Sequence, residues 1–111
     1  LWGYQTKKLS NEEMIKEKYQ GIRPAPGYPA CPEHTIKKDI FSLLQAKEIG
    51  MELTESMSMM PASSVSGFYF AHPEAKYFSV DKIDEDQIDD MAKRRSISKD
   101  QLKKWLASSL R

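Results

Sequence analysis

Cys31, Glu33, His34 and His72 are the side chains of this sequence whose types could bind a metal or attack a substrate. A structural zinc site wants four ligands, commonly in paired spacings. Cys31 and His34 form one such pair, but the remaining histidine, His72, is far away in sequence, so no metal site is expected. A Cys31–His34 nucleophile would need a third group to orient the imidazole and an oxyanion site. Cys31 lies between Ala30 and Pro32, and nothing nearby supplies either, so no catalytic residue is expected. There is no glycine-rich phosphate loop ahead of a helix and no zincin or kinase signature. What remains is Arg23 with Tyr28. A guanidinium is the natural fork-shaped partner of a carboxylate. Peptide groups around Ala25–Tyr28, outside regular structure, could hydrogen-bond a planar polar ring. Together they would suit a small zwitterionic ligand carrying an aromatic base.

These residues sit on a segment that cannot be a helix. Residues 21–35 hold Pro24, Pro26, Pro29 and Pro32, four of the six prolines. Each fixes its own φ and biases the residue before it towards extended backbone. An extended loop with few alternative shapes is expected, and a poor central strand, because backbone donors are missing. Such a loop loses little entropy when a ligand fixes it. It could equally be a rigid connector between two helices.

The flanking elements follow from local signals. Ser10 and Glu13 make a capping box, with Leu9 and Met14 as a hydrophobic staple. They predict a helix over 11–20 that stops at Gly21 and faces Met14, Ile15 and Tyr19 inward. Thr35 is the expected N-cap of a second helix, whose apolar face carries Ile36, Ile40, Leu43 and Leu44 and which ends at Gly50. Lys37 and Lys38 oppose the helix dipole in its first turn, so solvent or an acidic partner must account for them. The alternation from Met51 to Met59 predicts a half-buried strand with Glu55 on its apolar side in a salt bridge, broken by Pro61. Strands over 64–71 and 76–80 are expected to pair as a hairpin around a turn at 72–75. Gly67 marks a bulge or a close backbone approach. Asp84 with Gln87 and Ser98 with Gln101 repeat the start grammar for helices over about 85–95 and 99–107, the last with an inward stripe of Leu102, Trp105 and Leu106. The basic run 93–95 reads as dipole compensation.

Composition narrows the function classes. The chain has 111 residues and a formal net charge of +1, which argues against a dedicated nucleic-acid binder. The single cysteine allows no internal disulfide and fits a reducing, cytoplasmic compartment. No apolar run approaches a membrane span. The start at Leu1, with Trp2 and Tyr4 close behind, leads to the expectation of a portion of a longer protein whose first residues are loosely ordered or dock on a neighbour.

The run from Arg23 to Thr35, Arg-Pro-Ala-Pro-Gly-Tyr-Pro-Ala-Cys-Pro-Glu-His-Thr, closely resembles the signature of the C-terminal activation domain of cobalamin-dependent methionine synthases. Leu53–Ser56, Ala62–Gly67, Tyr69–Pro73 and Lys76–Phe78 resemble that family in the same order and spacing, along nearly the whole chain. The resemblance implies an α+β fold, a small antiparallel sheet flanked by helices, forming the C-terminal portion of a larger activation domain. It implies S-adenosylmethionine binding for reductive remethylation of a cobalamin held by another domain of the same polypeptide, with a flavodoxin-like electron donor. Carried over residue by residue, Arg23 would take the ligand carboxylate. Backbone at Ala25, Gly27 and Tyr28 would hold the adenosyl part, and Tyr77 and Phe78 would complete the pocket. The family's domain is longer, and its acidic ligand contacts come from an earlier part. The family also often has an acidic residue and a lysine where Ile36 and Lys37 stand. The rival reading is an interaction module in which the proline loop and basic helix ends dock on a partner and no nucleotide binds.

Overall fold

The computed structural model describes residues 7–110, so the expectation for Leu1, Trp2 and Tyr4 lies outside the described residues. The order is α1 (Asn11–Ile15), α2 (Ile36–Leu43), a 3-10 turn (Ala46–Ile49), β1 (Glu52–Leu53), β2 (Met59–Met60), α3 (Glu85–Arg95), α4 (Lys99–Trp105) and a last 3-10 turn (Ala107–Ser109). The fold is small α+β, with β1 and β2 forming a two-stranded antiparallel sheet in which Glu52 faces Met60 and Leu53 faces Met59.

Local chemistry explains the helix ends. At α1 the Ser10 hydroxyl accepts from the Glu13 amide (3.2 Å), and the Glu13 carboxylate accepts from the Ser10 amide (2.9 Å). The helix stops at Ile15, well short of Gln20, because Glu17 turns left-handed at φ 53°. The Lys18 amide then reaches the Glu13 carbonyl and the Glu17 amide the Met14 carbonyl, a complete Schellman closure with no glycine in it. Met14 and Ile15 consequently lie exposed rather than inward. The C-terminal pair follows the expected grammar. The Gln87 side chain accepts from the Asp84 amide (3.0 Å), and the Ser98 hydroxyl accepts from the Gln101 amide (3.2 Å). α3 closes as α1 does: Ser96 is left-handed, and Ile97 donates to the Ala92 carbonyl (3.1 Å).

The core lies between α3 and α4. Ile88, Ala92, Leu102 and Leu106 are buried, with Ile83, Met91, Ile97 and Leu110 packed around them. Each fully buried aliphatic side chain contributes about 2 kcal/mol relative to exposure. Ile83 donates to the Ser109 carbonyl (2.8 Å), which ties the segment entering α3 to the end of the chain.

Non-local pairing departs most from the sequence reading. Residues 51–59 form a hairpin instead of one strand. Thr54 and Ser58 close its turn through Thr54 N to Ser58 O (2.9 Å) and Ser58 N to the Thr54 hydroxyl (3.1 Å). Met57 is buried at φ 65°, and Glu55 sits exposed in the turn rather than on an apolar side. The expected 64–71/76–80 hairpin does not form. Both segments instead pack against the proline ribbon. Phe70 and Ile22 exchange both backbone hydrogen bonds (3.0 Å each), and Phe68 donates to the Pro24 carbonyl (2.9 Å). Val80 donates to the Pro29 carbonyl (2.8 Å) from the other segment. The prolines permit this because the ribbon is asked at Pro24 and Pro29 only for carbonyls, which proline retains. A Cβ on Gly67 would come within 2.9 Å of the Pro24 carbonyl oxygen, so the expected close backbone approach at Gly67 is to the ribbon. The turn at 72–75 is present, with Ala75 donating to the His72 carbonyl (3.0 Å).

Helix α2 ends at Leu43, and Gln45 turns left-handed before the 3-10 turn that runs to Gly50. Ile40 is buried, but Leu43 and Leu44 are 82% and 74% exposed, so only half of the expected apolar face finds a partner.

Candidate functional site

The ribbon presents Arg23 from a base held by backbone. The Arg23 amide donates to the Tyr77 hydroxyl (2.9 Å), which draws the 76–80 segment to the ribbon. Its side chain is exposed, with the guanidinium carbon 4.3 Å from the centre of the Tyr19 ring. The guanidinium also donates to the Tyr19 hydroxyl. That bond raises the pKa of Arg23 above its ordinary value, with slight burial opposing and Tyr69 adding to the rise. A cation stacked on a ring keeps its outer edge and remaining donors available for a carboxylate. Tyr19 was expected on the inward face of a helix. The left-handed turn at Glu17 carries it to Arg23 instead, a contact that helical spacing could not show.

Beyond Arg23 the ribbon folds into a tight knot. Tyr28 donates to the Ala25 carbonyl (3.2 Å), Gly27 to the Cys31 carbonyl (2.8 Å), and Cys31 to the Tyr28 carbonyl (2.9 Å). Gly27 is at φ 91°, and a Cβ there would overlap the His34 ring. The bare face of Gly27 is therefore filled by His34. The amides of Gly27 and Tyr28 are already engaged, contrary to the expectation of peptide groups left free across this stretch. Carbonyl oxygens, each with a second lone pair, are the acceptors this knot can offer. Tyr28 and Phe78 are 67% and 63% exposed, and Tyr77 is half-exposed.

The far end of the ribbon is bolted to the helical core by charge. Glu33 is buried, and its carboxylate accepts from the Thr35 amide (2.6 Å) and from the Arg95 guanidinium. Arg95 also reaches Asp39 (3.2 Å). Of the basic run at the end of α3, Arg95 therefore serves the ribbon, while Arg94 pairs with Asp90 (2.8 Å) on its own helix. A 62-residue separation hid the Glu33–Arg95 pair from sequence reasoning. Thr35 makes no side-chain cap: its backbone is already right-handed helical rather than extended, and its own amide donates to Glu33.

Lys37 is buried, and its ammonium donates to the Met57 carbonyl (2.7 Å) and lies 3.0 Å from His34 Nδ1. This contact, rather than solvent or an acidic partner, accounts for a lysine at the positive end of α2. Burial, and then Lys37, hold the pKa of His34 below its ordinary value. The His34 ring also lies 6.2 Å from that of Trp105. Burial pushes the Cys31 thiol pKa up, and Glu33 adds to the rise. A thiol held protonated is a poor nucleophile. Among the described residues no group of three His, Cys, Asp or Glu side chains could hold a metal ion, and no helix is long and apolar enough to cross a membrane.

Residues 1–96 match the family model of the vitamin B12 dependent methionine synthase activation domain. Among solved structures, the chain is similar to the crystal structure of the MetH reactivation domain bound to AdoHcy, with 56% identity and a TM-score of 0.90. That match covers 95% of this chain and 33% of the other, so the chain spans about a third of the length of the structure it matches.

Proposed function

The chain belongs to the vitamin B12 dependent methionine synthase activation domain family, and from that premise we propose that residues 1–111 are the C-terminal portion of an S-adenosylmethionine-binding reactivation module. The observation that carries this reading is the exposed Arg23 guanidinium, stacked on Tyr19 and rooted by Tyr77, in a chain 56% identical to part of a domain bound to AdoHcy. AdoHcy keeps the amino-acid and adenosyl parts of S-adenosylmethionine and lacks the transferable methyl.

Arg23 binds the ligand carboxylate, and Tyr19 fixes the guanidinium plane for two parallel N–H···O bonds. Backbone at Ala25, Gly27 and Tyr28 holds the adenosyl part, with carbonyl oxygens there accepting from the two N–H groups of the exocyclic amine of adenine. Tyr77 holds the ribbon at Arg23, and the rings of the exposed residues Phe78 and Tyr28 cover apolar edges of the nucleoside. When bound, the ligand's sulfonium supplies a methyl group for reduced cobalamin. This chain contributes position and a fixed positive charge, and no side chain here is a general acid or base. The module docks on a cobalamin-binding domain of the same polypeptide and on a flavodoxin-like electron donor in the cytoplasm. Homocysteine methyltransferase activity belongs to the whole enzyme, and the isolated chain is expected to be inactive.

The test is calorimetry of S-adenosylmethionine binding to the full-length activation domain with and without Arg23→Ala. Loss of a charge-assisted bond costs about 1.5–3 kcal/mol, roughly ten- to hundredfold in affinity. No measurable binding by the wild-type domain would favour a module that only docks on proteins, and an affinity unchanged by the substitution would take the carboxylate away from Arg23.

A further inference from the structure

The end of α2 and the 3-10 turn after it display three large aliphatic side chains that the described residues leave uncovered. Leu43, Leu44 and Ile49 are 82%, 74% and 77% exposed. The sequence places the two leucines on the same amphipathic face as Ile40, which is buried. Gln45 turns left-handed, and the 3-10 turn that follows packs on α2 and carries the exposed Ile49. The three are aliphatic, with the polar residues Ser42, Gln45, Lys47 and Glu48 exposed beside them in sequence, and the surface differs from the aromatic one around Arg23. Transient interfaces concentrate energy in Trp, Tyr and Arg, with Leu under-represented. An aliphatic surface resembles a domain core cut in half, the mark of permanent burial.

The matching solved domain is about three times as long as this chain, which covers 33% of it. We infer that Leu43, Leu44 and Ile49 form the seam at which the remaining part of the activation domain packs on this portion. The inference rests on the proposed function in one respect: it takes this chain to be part of such a domain. The occupant is the same domain's own polypeptide, and the seam lies apart from the Arg23 surface that the ligand takes.

Cysteine accessibility in the full-length activation domain tests it. Leu44→Cys and Ile49→Cys are introduced singly and compared with Asp100→Cys on the exposed side of α4, using a water-soluble maleimide and peptide-level mass spectrometry. A buried thiol reacts only through local opening, so labelling at 44 and 49 is expected to be about tenfold slower or more. Equal rates in a folded monomer would overturn the seam. Protection that appears only as the domain dimerises, or only when the cobalamin-binding domain is added, would overturn it too by naming a different occupant. If either variant fails to fold, hydroxyl-radical footprinting of Leu43, Leu44 and Ile49 in the wild-type domain gives the same reading. S-adenosylmethionine binding by the same proteins separates the two proposals. Bound ligand with reactive thiols sinks the seam alone, and protected thiols without ligand binding sink the functional reading alone.

Discussion

The α3–α4 pair and the proline ribbon are stabilised in opposite ways. The helical pair has its own apolar core, with Ile88, Leu102 and Leu106 fully buried and a side-chain or backbone cap at each junction. The ribbon, over 21–35, has almost no aliphatic core. It is held by a few hydrogen bonds to segments far along the chain, by one buried ion pair, and by the contact of His34 with Gly27. On the proposed function, this region offers a cation and carbonyl groups to a ligand and cannot also bury them. Its shape is therefore imposed from outside, by the helices and by the 64–80 segment. Stability resides in one region and, on the proposed function, recognition in the other; Glu33–Arg95 connects them.

Substitutions can break this division, and their effects are graded. Leu102→Ala opens a cavity in the helical core and should cost about 4 kcal/mol of unfolding free energy in urea titration, with the ribbon affected only through global unfolding. Arg95→Met leaves Glu33 buried with one partner fewer and should cost about 3 kcal/mol. It should also weaken S-adenosylmethionine binding, although Arg95 does not face the proposed ligand surface. Retained affinity would show that the ribbon keeps its shape without the bolt. Gly27→Ala forces a side chain into the His34 ring at a left-handed φ and should cost about 2 kcal/mol, with more affinity lost than the stability change explains. Ser98→Ala removes one cap from α4 and should cost about 1 kcal/mol with ligand binding unchanged.

The smallest effect expected is one of pH. His34 is held below its ordinary pKa of 6.5 by burial and by Lys37. The folded state thus favours neutral imidazole, while the unfolded chain takes up a proton first as pH falls. This contribution is complete above 6.5 and declines as pH drops from 6.5 towards the lower folded value. Urea midpoints of wild type and His34→Gln compared at neutral and mildly acidic pH read it. The wild type should lose more than the variant, and parallel losses would remove His34 from the explanation.

The same division decides what the sequence could disclose. Ser10, Asp84 and Ser98 announced their helices because capping is a conversation between residues three apart. Leu102 and Leu106 announced the core because helical spacing places them on one stripe. Residues 64–80 were read as a hairpin because alternation reports strand character but not the strand's partner, and the partner was the ribbon. The end of α1 was misplaced because Glu17 adopts a left-handed turn usually signalled by glycine. Tyr19 was thereby lost from the site, and Glu33 and Arg95 were lost because no local rule links residues so far apart. Leu43 and Leu44 were read as inward, and the described residues leave them exposed. Residue chemistry paired Arg23 with Tyr28, Tyr77 joined them only through the family signature, and the Arg23 amide donates to the Tyr77 hydroxyl.

The central claim is that Arg23 pairs with the carboxylate of S-adenosylmethionine. It is tested most directly by a thermodynamic cycle on the full-length activation domain, pairing wild type and Arg23→Ala with S-adenosylmethionine and its decarboxylated analogue. A direct pair gives a coupling energy of about 1.5–3 kcal/mol, so removing the carboxylate should weaken binding to wild type and hardly affect the variant. Equal losses in both proteins would contradict the pairing and place the carboxylate elsewhere.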